Sequence, residues 1–486
     1  MGLQAIMRLF SRNIFIGLIG TLIGLRLYLS AVLPLTETTE ARYGEIARKM
    51  LETGNWINLL DTYSSPFWAK PPLYSWLSAS SMAIFGISEF AIRLPSMLLA
   101  ITLLFLIFHF VKEQLGLAKA QLSTIILLSG AGFLVASSTV MTDPSLLFSV
   151  TVALCAWWRH HQKNQSLWAY TFFAAIGLGL LAKGPLAIVL IGMPIFFYLL
   201  TQGGWIKAIK ELPWVGGLII GLLLPSIWYI AAERNTPGFI EYFVLGEHVY
   251  RFIKPGWAGD LYGTAHAEPK GTIWFYAAVA LLPWSFFLIV GLIKKPIKSV
   301  LALKANPLRV FLLCWALSHL VFFSLPANII WPYYLPMAPA FAILFADLLG
   351  DNIKLSKWLA AFAVVFSGGA LLIGYYVAEA RSEMNIKSGK NVIEFWKKEN
   401  PQQGGQLNYL SGKRLFSLEF YSSGRATQIK SLEAIKELIQ NKSIDYLLIN
   451  EDEFDHLPAD ISKHFKKFPD NNDHSALHLI LVKEID

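Results

Sequence analysis

Between Leu33 and Leu77 the chain concentrates charges that a plain connector between apolar segments does not need. The stretch reads LPLTETTEARYGEIARKMLETGNW and later SSPFWAKPPLYSWL. Glu37 and Glu40 lie three positions apart, followed at once by Arg42 and Tyr43. Carboxylates at the edge of a membrane helix can accept a proton from an acceptor hydroxyl. The same two acids could instead favour the positive N-terminus of a helix over Ala41–Leu51, capped by Thr38 or Thr39. Lys70 stands just before Pro71 and Pro72. Those prolines stiffen the backbone, so the amine is offered from a fixed place, either to a phosphate or to lipid headgroups.

Further cations and acids recur in short polar breaks. Asp143 lies in a Thr-Asp-Pro turn, an ordinary turn signal, and Lys183 in an Ala-Lys-Gly-Pro turn. A longer break holds His248 and Arg251, then His266 and Glu268 before Pro269. A His-Glu pair supplies two metal ligands, fewer than a site needs. Interfacial aromatic and polar packing is the competing reading of that loop.

The elements that position these residues are membrane helices. The chain has 486 residues, 55% of them hydrophobic and 15% charged, the composition of a polytopic membrane protein. Crossing a bilayer takes about 20 apolar residues, and about eleven runs qualify. They fall near 13–33, 92–111, 119–139, 144–159, 167–182, 185–201, 213–231, 273–293, 308–325, 332–350 and 357–378. Segment 72–87 is apolar but short, and reads as interfacial or re-entrant. The first run lacks a small-residue cleavage site and reads as a helix of the mature chain.

The net charge of +8 is not a nucleic-acid signature, because the basic residues sit in alternate short breaks. These carry Arg8 and Arg12; Lys112 and Lys119; Arg159 and Lys163; Lys207 and Lys210; Lys294, Lys295, Lys298, Lys304 and Arg309; and Lys354 and Lys357. The positive-inside rule places them in the cytoplasm, with the N-terminus inside and the C-terminal tail outside. Every candidate residue above then falls on the outer face. The two cysteines, Cys155 and Cys314, lie in apolar runs without ligand spacing and read as buried small hydrophobes.

From Arg381 the charges become dense and mixed. Gln406–Leu410, Asp445–Asn450 and Ala476–Val482 read as strands, and Ser431–Gln440 as an amphipathic helix. The expected organisation is a membrane part over 1–379, with outer loops 35–91 and 232–272, and a small α/β domain over 380–486 that caps the outer face. No repeat or low-complexity tract appears.

The run Glu-Ala-Arg-Tyr-Gly-Glu-Ile-Ala-Arg-Lys-Met, then Lys-Pro-Pro-Leu-Tyr-Ser-Trp-Leu, then Phe-Gly-Ile-Ser-Glu-Phe-Ala-Ile-Arg-Leu-Pro-Ser resembles the bacterial GT-C glycosyltransferases. It is similar to the branch holding the 4-amino-4-deoxy-L-arabinose lipid A transferase and relatives of protein O-mannosyltransferases. Leu181-Ala-Lys-Gly-Pro185 and Tyr333-Tyr-Leu-Pro-Met-Ala-Pro339 share the likeness, which covers the membrane part. The resemblance implies a helical inner-membrane enzyme that uses a polyprenyl-phosphate-linked sugar on the periplasmic face. It implies a lipid A, glycan or protein acceptor.

The family carries acid ahead of its Glu-x-Arg-Tyr motif. Here Thr39 directly precedes Glu40 and Glu37 stands further back, so the catalytic carboxylate is either Glu37 or Glu40. Lys70, Lys183, Arg251 and His248 would hold the donor phosphate. Arg42, Tyr43, Asp143, His266, Glu268, Tyr333 and Tyr334 would line the substrate site. The family's metal-associated Glu before Lys-Pro is Ala69 here, so no cofactor is assigned and a divalent metal stays open. A transporter or flippase of lipid-linked sugars is the alternative; such proteins carry ionisable groups near the membrane midplane and repeated halves, neither of which is seen.

Overall fold

A computed structural model describes residues 8–263, 266–294, 306–349, 352–380, 387–401, 404–440, 445–468 and 477–485. The membrane part is helical, as the apolar runs require when no water is available to backbone amides. Its first nine helices are α1 (Arg12–Val32), α2 (Thr39–Thr53), α3 (Leu73–Phe85), α4 (Glu89–Leu115), α5 (Leu117–Ser129), α6 (Ala131–Ala136), α7 (Asp143–Lys163), α8 (Ser166–Lys183) and α9 (Leu186–Gln202). Trp214–Asn235, Pro307–Phe323, Ala338–Leu348 and Ile353–Ala380 follow as further apolar helices.

Among the described residues five helices are long and apolar enough to cross a membrane, and a bent pair would make a sixth. The other expected runs take different forms. Run 119–139 divides into α5 and α6 at Gly130, whose extended backbone stops the helix. Run 273–293 becomes Thr272–Ala280 and Trp284–Gly291, bent by 107°. Pro283 lies at that bend and has no N–H to continue the ladder. Run 332–350 opens as a 3-10 turn over Trp331–Met337 before Ala338–Leu348 begins. Lys295, Lys298 and Lys304 lie outside the described residues.

Charges gather in two layers. Arg93 near the start of α4 meets Glu40, while Glu113 near its end meets Arg159 and Lys163 of α7. At 1.5 Å per residue these α4 positions are roughly 30 Å apart, close to the hydrocarbon thickness of a bilayer, about 30 Å. Asp347 joins Lys119 and Arg309 in another buried network.

Loop 35–91 packs into a hydrophobic cluster shared with the bundle and the C-terminal region. Ile46, Ala47 and Met50 of α2 pack with Phe67, Tyr74, Ile92, Val140, Leu181 and Phe243, together with Phe416 and Phe420 from the C-terminal region. Gly44 permits the approach: a Cβ there would meet Ile92 Cδ1 at 2.9 Å and Leu35 Cδ1 at 3.1 Å.

The C-terminal region forms a five-stranded sheet in the order β2-β1-β3-β5-β4. The strands are β1 (Leu407–Leu410), β2 (Ala426–Ile429), β3 (Tyr446–Asn450), β4 (Phe465–Lys467) and β5 (Leu479–Glu484). β1 runs parallel to both β2 and β3, and β5 antiparallel to β3 and β4. The expected strand at Ala476 begins at Leu479 instead, and Ala476 lies outside the described residues. The segments around this sheet dock on α2, the loop after it and the start of α4 through ion pairs, with Lys49 of α2 lying 3.5 Å from Glu419. Arg414 binds Asp61 and Glu419 at 2.6 Å each, and Lys390 binds Glu89 at 2.7 Å. The Tyr421 hydroxyl donates to Glu89 at 3.0 Å and accepts the Leu35 N–H at 2.7 Å.

Glu37 belongs to this docking surface. Its Oε1 accepts the Ser417 N–H at 2.5 Å, and its Oε2 is buried without a hydrogen-bond partner. Burial pushes the Glu37 carboxyl above its ordinary value of 4.5, against the pull of the Ser417 bonds. A carboxyl raised in the folded state stabilises fully in acid and loses that contribution as pH rises through the raised value. Glu37→Gln should therefore match the parent in thermal stability near pH 4, and become the more stable of the two as pH rises to 8. A gap that closes as pH rises would show an ion-stabilised carboxylate instead.

Glu40 is held differently. Arg93 grips it with two bonds, Nε to Oε1 at 3.0 Å and Nη2 to Oε2 at 2.7 Å. The Val140 N–H donates to the same Oε1 at 3.1 Å. Arg93 also donates to the Ser30, Leu33 and Pro34 carbonyls. Removing one partner of a buried pair leaves an uncompensated charge, at a cost of about 3–5 kcal/mol. Glu40→Ala and Arg93→Ala should each lower the unfolding temperature in detergent by several degrees, and the double variant should fall well short of their sum. Additive losses would mean that the two side chains act independently.

Candidate active site

Five of the thirteen residues chosen for their chemistry, Lys70, Lys183, His248, Arg251 and Tyr333, line one cavity of about 170 Å³. Lys70, Lys183, Glu247, His248, Arg251, Asn328 and Tyr333 give it a polar wall. Val189, Phe252, Phe322 and Phe323 give it an apolar one. Three separate breaks between helices supply the cations. Lys70 comes from the Pro-stiffened loop before α3, Lys183 ends α8, and Arg251 follows a π-helical stretch over Tyr242–Tyr250.

Each cation is held. Lys70 Nζ lies 2.9 Å from Glu247 Oε2 and donates to the Ala69 carbonyl at 2.6 Å. Arg251 Nη1 contacts both Glu247 oxygens, at 2.8 and 2.9 Å, and its Nη2 lies 4.0 Å from Asp260. Lys183 Nζ donates to Asp143 at 2.7 Å and sits 4.6 Å from the Tyr333 ring centroid. Asp143 opens α7 and Lys183 closes α8, so the antiparallel packing of these helices brings the two turns together. His248 braces the wall: its ring nitrogens face the Phe243 carbonyl at 2.7 Å and the Lys183 carbonyl at 3.0 Å. Burial pushes that imidazole below its ordinary pKa.

The remaining candidates spread around this centre. Tyr43 is buried against Phe67, and burial raises its phenol well above the ordinary range. Arg42 lies beside it, with its guanidinium 4.9 Å from the Phe416 ring and an Nη2 contact of 3.4 Å to the Tyr262 carbonyl. Tyr334 turns away from the cavity and is fully buried, its hydroxyl filling the space beside Gly132. His266 is exposed, and its backbone N–H donates to Asn328 Oδ1 at 3.1 Å. The Glu268 N–H donates to the Ala327 carbonyl at 2.8 Å. Neither side chain lines the cavity, nor do Glu37 and Glu40, which stand at the root of α2.

Two residues of consequence escaped the reading of the sequence. Glu247 shares its carboxylate between Lys70 and Arg251; its i,i+4 spacing from Arg251 was the available signal. Arg93 was a lone charge beside an apolar run, a placement that demands a partner.

A divalent metal does not fit here. Ala69 offers no ligand, and the Glu247 carboxylate is already shared by two cations. Among the described residues no three of His, Cys, Asp or Glu gather closely enough to hold an ion.

Comparison with known proteins bears on the fold and the membrane part as a whole. The family model for dolichyl-phosphate-mannose-protein mannosyltransferase matches residues 21–243. An undecaprenyl phosphate-alpha-4-amino-4-deoxy-L-arabinose arabinosyl transferase from Erwinia tasmaniensis is 28% identical over 391 residues, covering 74% of this chain and 66% of the relative. Its counterpart from Yersinia enterocolitica is 28% identical over 327 residues, covering 65% of this chain and 56% of the relative. The chain thus spans less than two thirds of the length of these curated relatives. In fold it matches crystalline ArnT from Cupriavidus metallidurans bound to undecaprenyl phosphate. That match has a TM-score of 0.79 and 16% identity, and covers 98% of this chain and 99% of the other. The fold, the motifs and the relatives agree in one likeness: the chain is similar to the GT-C glycosyltransferases, which include the 4-amino-4-deoxy-L-arabinose transferases and the protein O-mannosyltransferases.

Proposed function

We propose that this protein is a multi-pass membrane glycosyltransferase that moves a sugar from a polyprenyl-phosphate donor to a lipid A, glycan or protein acceptor. The observation that carries the reading is the cavity itself. It sets three cations, Lys70, Lys183 and Arg251, against an aromatic and aliphatic wall. A phosphate esterified to a long isoprenoid needs both surfaces at once. The gathering of the candidate residues in the breaks opposite the basic ones supports an active face in the periplasm. Basic residues in alternate short breaks support a cytoplasmic N-terminus and about eleven crossings, and the shift in composition near Arg381 supports a catalytic membrane part, 1–379, and a cap, 380–486. A transporter of lipid-linked sugars gains no support from relatives that carry transferase names.

In the proposed reaction the acceptor oxygen attacks the anomeric carbon as the bond from that carbon to the phosphate oxygen breaks. The electron pair leaves on the lipid phosphate, and the configuration inverts. Lys70, Lys183 and Arg251 stabilise the charge that develops there. No general acid is required, because a phosphate is a good leaving group.

We assign the proton acceptor to Asp143 in preference to Glu37 or Glu40. Asp143 touches a cavity cation at 2.7 Å. All three acids are held, Asp143 by Lys183, Glu40 by Arg93 and Glu37 by the Ser417 N–H, but of these three partners only Lys183 lines the cavity. Arg42, Tyr43 and Tyr333 would position the sugar and acceptor.

Two measurements test this reading. Lys70→Ala should weaken undecaprenyl phosphate binding by about 2–4 kcal/mol, the scale of a lost partner in a partly desolvated charge contact. Unchanged affinity in purified protein would make Lys70 a membrane anchor. Asp143→Asn should cut turnover with an undecaprenyl-phosphate-sugar donor by about 100-fold or more, the effect of a lost general base. Glu37→Gln should stay within several-fold of the parent. The reverse pattern would return the role to the root of α2.

A further inference from the structure

Glu247 is the one carboxylate that lines the cavity among the described residues. Its side chain is 3% exposed and is reached by three donors: Lys70 at 2.9 Å, Arg251 at 2.8 Å and the Tyr242 hydroxyl at 3.4 Å. Tyr242 and Arg251 flank Glu247 on its own helical stretch while Lys70 arrives from the loop before α3, so the carboxylate is the point where the two segments meet. Burial alone would push this carboxyl up, yet Lys70 and Arg251 hold it below the ordinary range, so it is an anion at neutral pH. It makes with Lys70 and Arg251 the contacts that one oxygen pair of a bound phosphate would make.

We propose that Glu247 is an internal anion that occupies the phosphate seat of the resting cavity and tunes it to a singly charged phosphate. The inference rests on the transferase reading of the cavity. Lys183 is matched by Asp143 at 2.7 Å, and Asp260 stands off from Arg251 at 4.0 Å; in direct contact at the seat, Lys70 and Arg251 bring two positive charges and Glu247 removes one of them. A donor phosphodiester carries one negative charge. The phosphomonoester left after transfer carries close to two, since its second ionisation lies near pH 6. The seat therefore balances the donor and leaves part of the spent lipid's charge unmatched. Glu247, still tethered four residues from Arg251, competes for both cations and helps to expel the product. It is a positioning and specificity residue and takes no part in bond making.

The sign of one substitution decides the matter. Glu247→Gln keeps the shape and an acceptor oxygen while removing the competing charge. In full-length protein in nanodiscs it should bind undecaprenyl phosphate about tenfold more tightly than the parent. Binding of an uncleavable phosphodiester, undecaprenyl methyl phosphate, should rise less, so the monoester-to-diester affinity ratio should increase several-fold. That ratio is insensitive to a small loss of stability. Steady-state turnover should fall and show a burst of one turnover, as product release becomes limiting. An unchanged or lowered ratio would overturn the proposal and make Glu247 a brace for Lys70 and Arg251. If the parent protein binds neither lipid, the transferase reading fails and this inference with it. If the parent binds both and the ratio does not move, only this inference fails.

Discussion

The pairing of Arg93 with Glu40 is the contact on which the outer half of the molecule depends. A guanidinium at the mouth of an apolar bundle is costly unless every donor is satisfied. Arg93 meets that demand by gathering the end of α1, through the Ser30, Leu33 and Pro34 carbonyls, and the start of α2, through Glu40. Glu40 in turn fixes the Val140 N–H, three residues before Asp143. One buried pair thereby sets α1, α2 and α4 relative to the turn that carries Asp143. The aromatic cluster beneath α2 fills the space this frame defines, and the sheet docks against its far side.

The same constraint explains what was legible in the sequence. Apolar runs show where helices lie because burying them is cheap, so the helical membrane part and the outlying sheet could be read directly. Lys70 and Lys183 stood out because a lone cation in a Pro-bounded turn is conspicuous. Arg251 lies with them through the packing of the Tyr242–Tyr250 stretch, which no periodicity announces. Glu37 and Glu40 attracted attention for the right reason, a surplus of acid at a membrane edge. Their partners, Ser417 and Arg93, lie 380 and 53 positions away. A charge whose partner is remote looks the same in sequence whether it is structural or reactive.

The resemblance to the GT-C enzymes leads to an expected glutamate before Lys70 where this chain has Ala69, and the charge of the seat accounts for an alanine there. A carboxylate directly before Lys70 would add a second anion beside the one Glu247 already provides. Lys70 and Arg251 would then face two negative groups and hold a lipid phosphate poorly. With alanine at that position, a single carboxylate balances the pair, and it arrives from the opposite loop. The charge of the seat is thus set by residues 177 positions apart. A change at one of them shifts the electrostatic demand on the other, so the phosphate seat is a property of the two loops together.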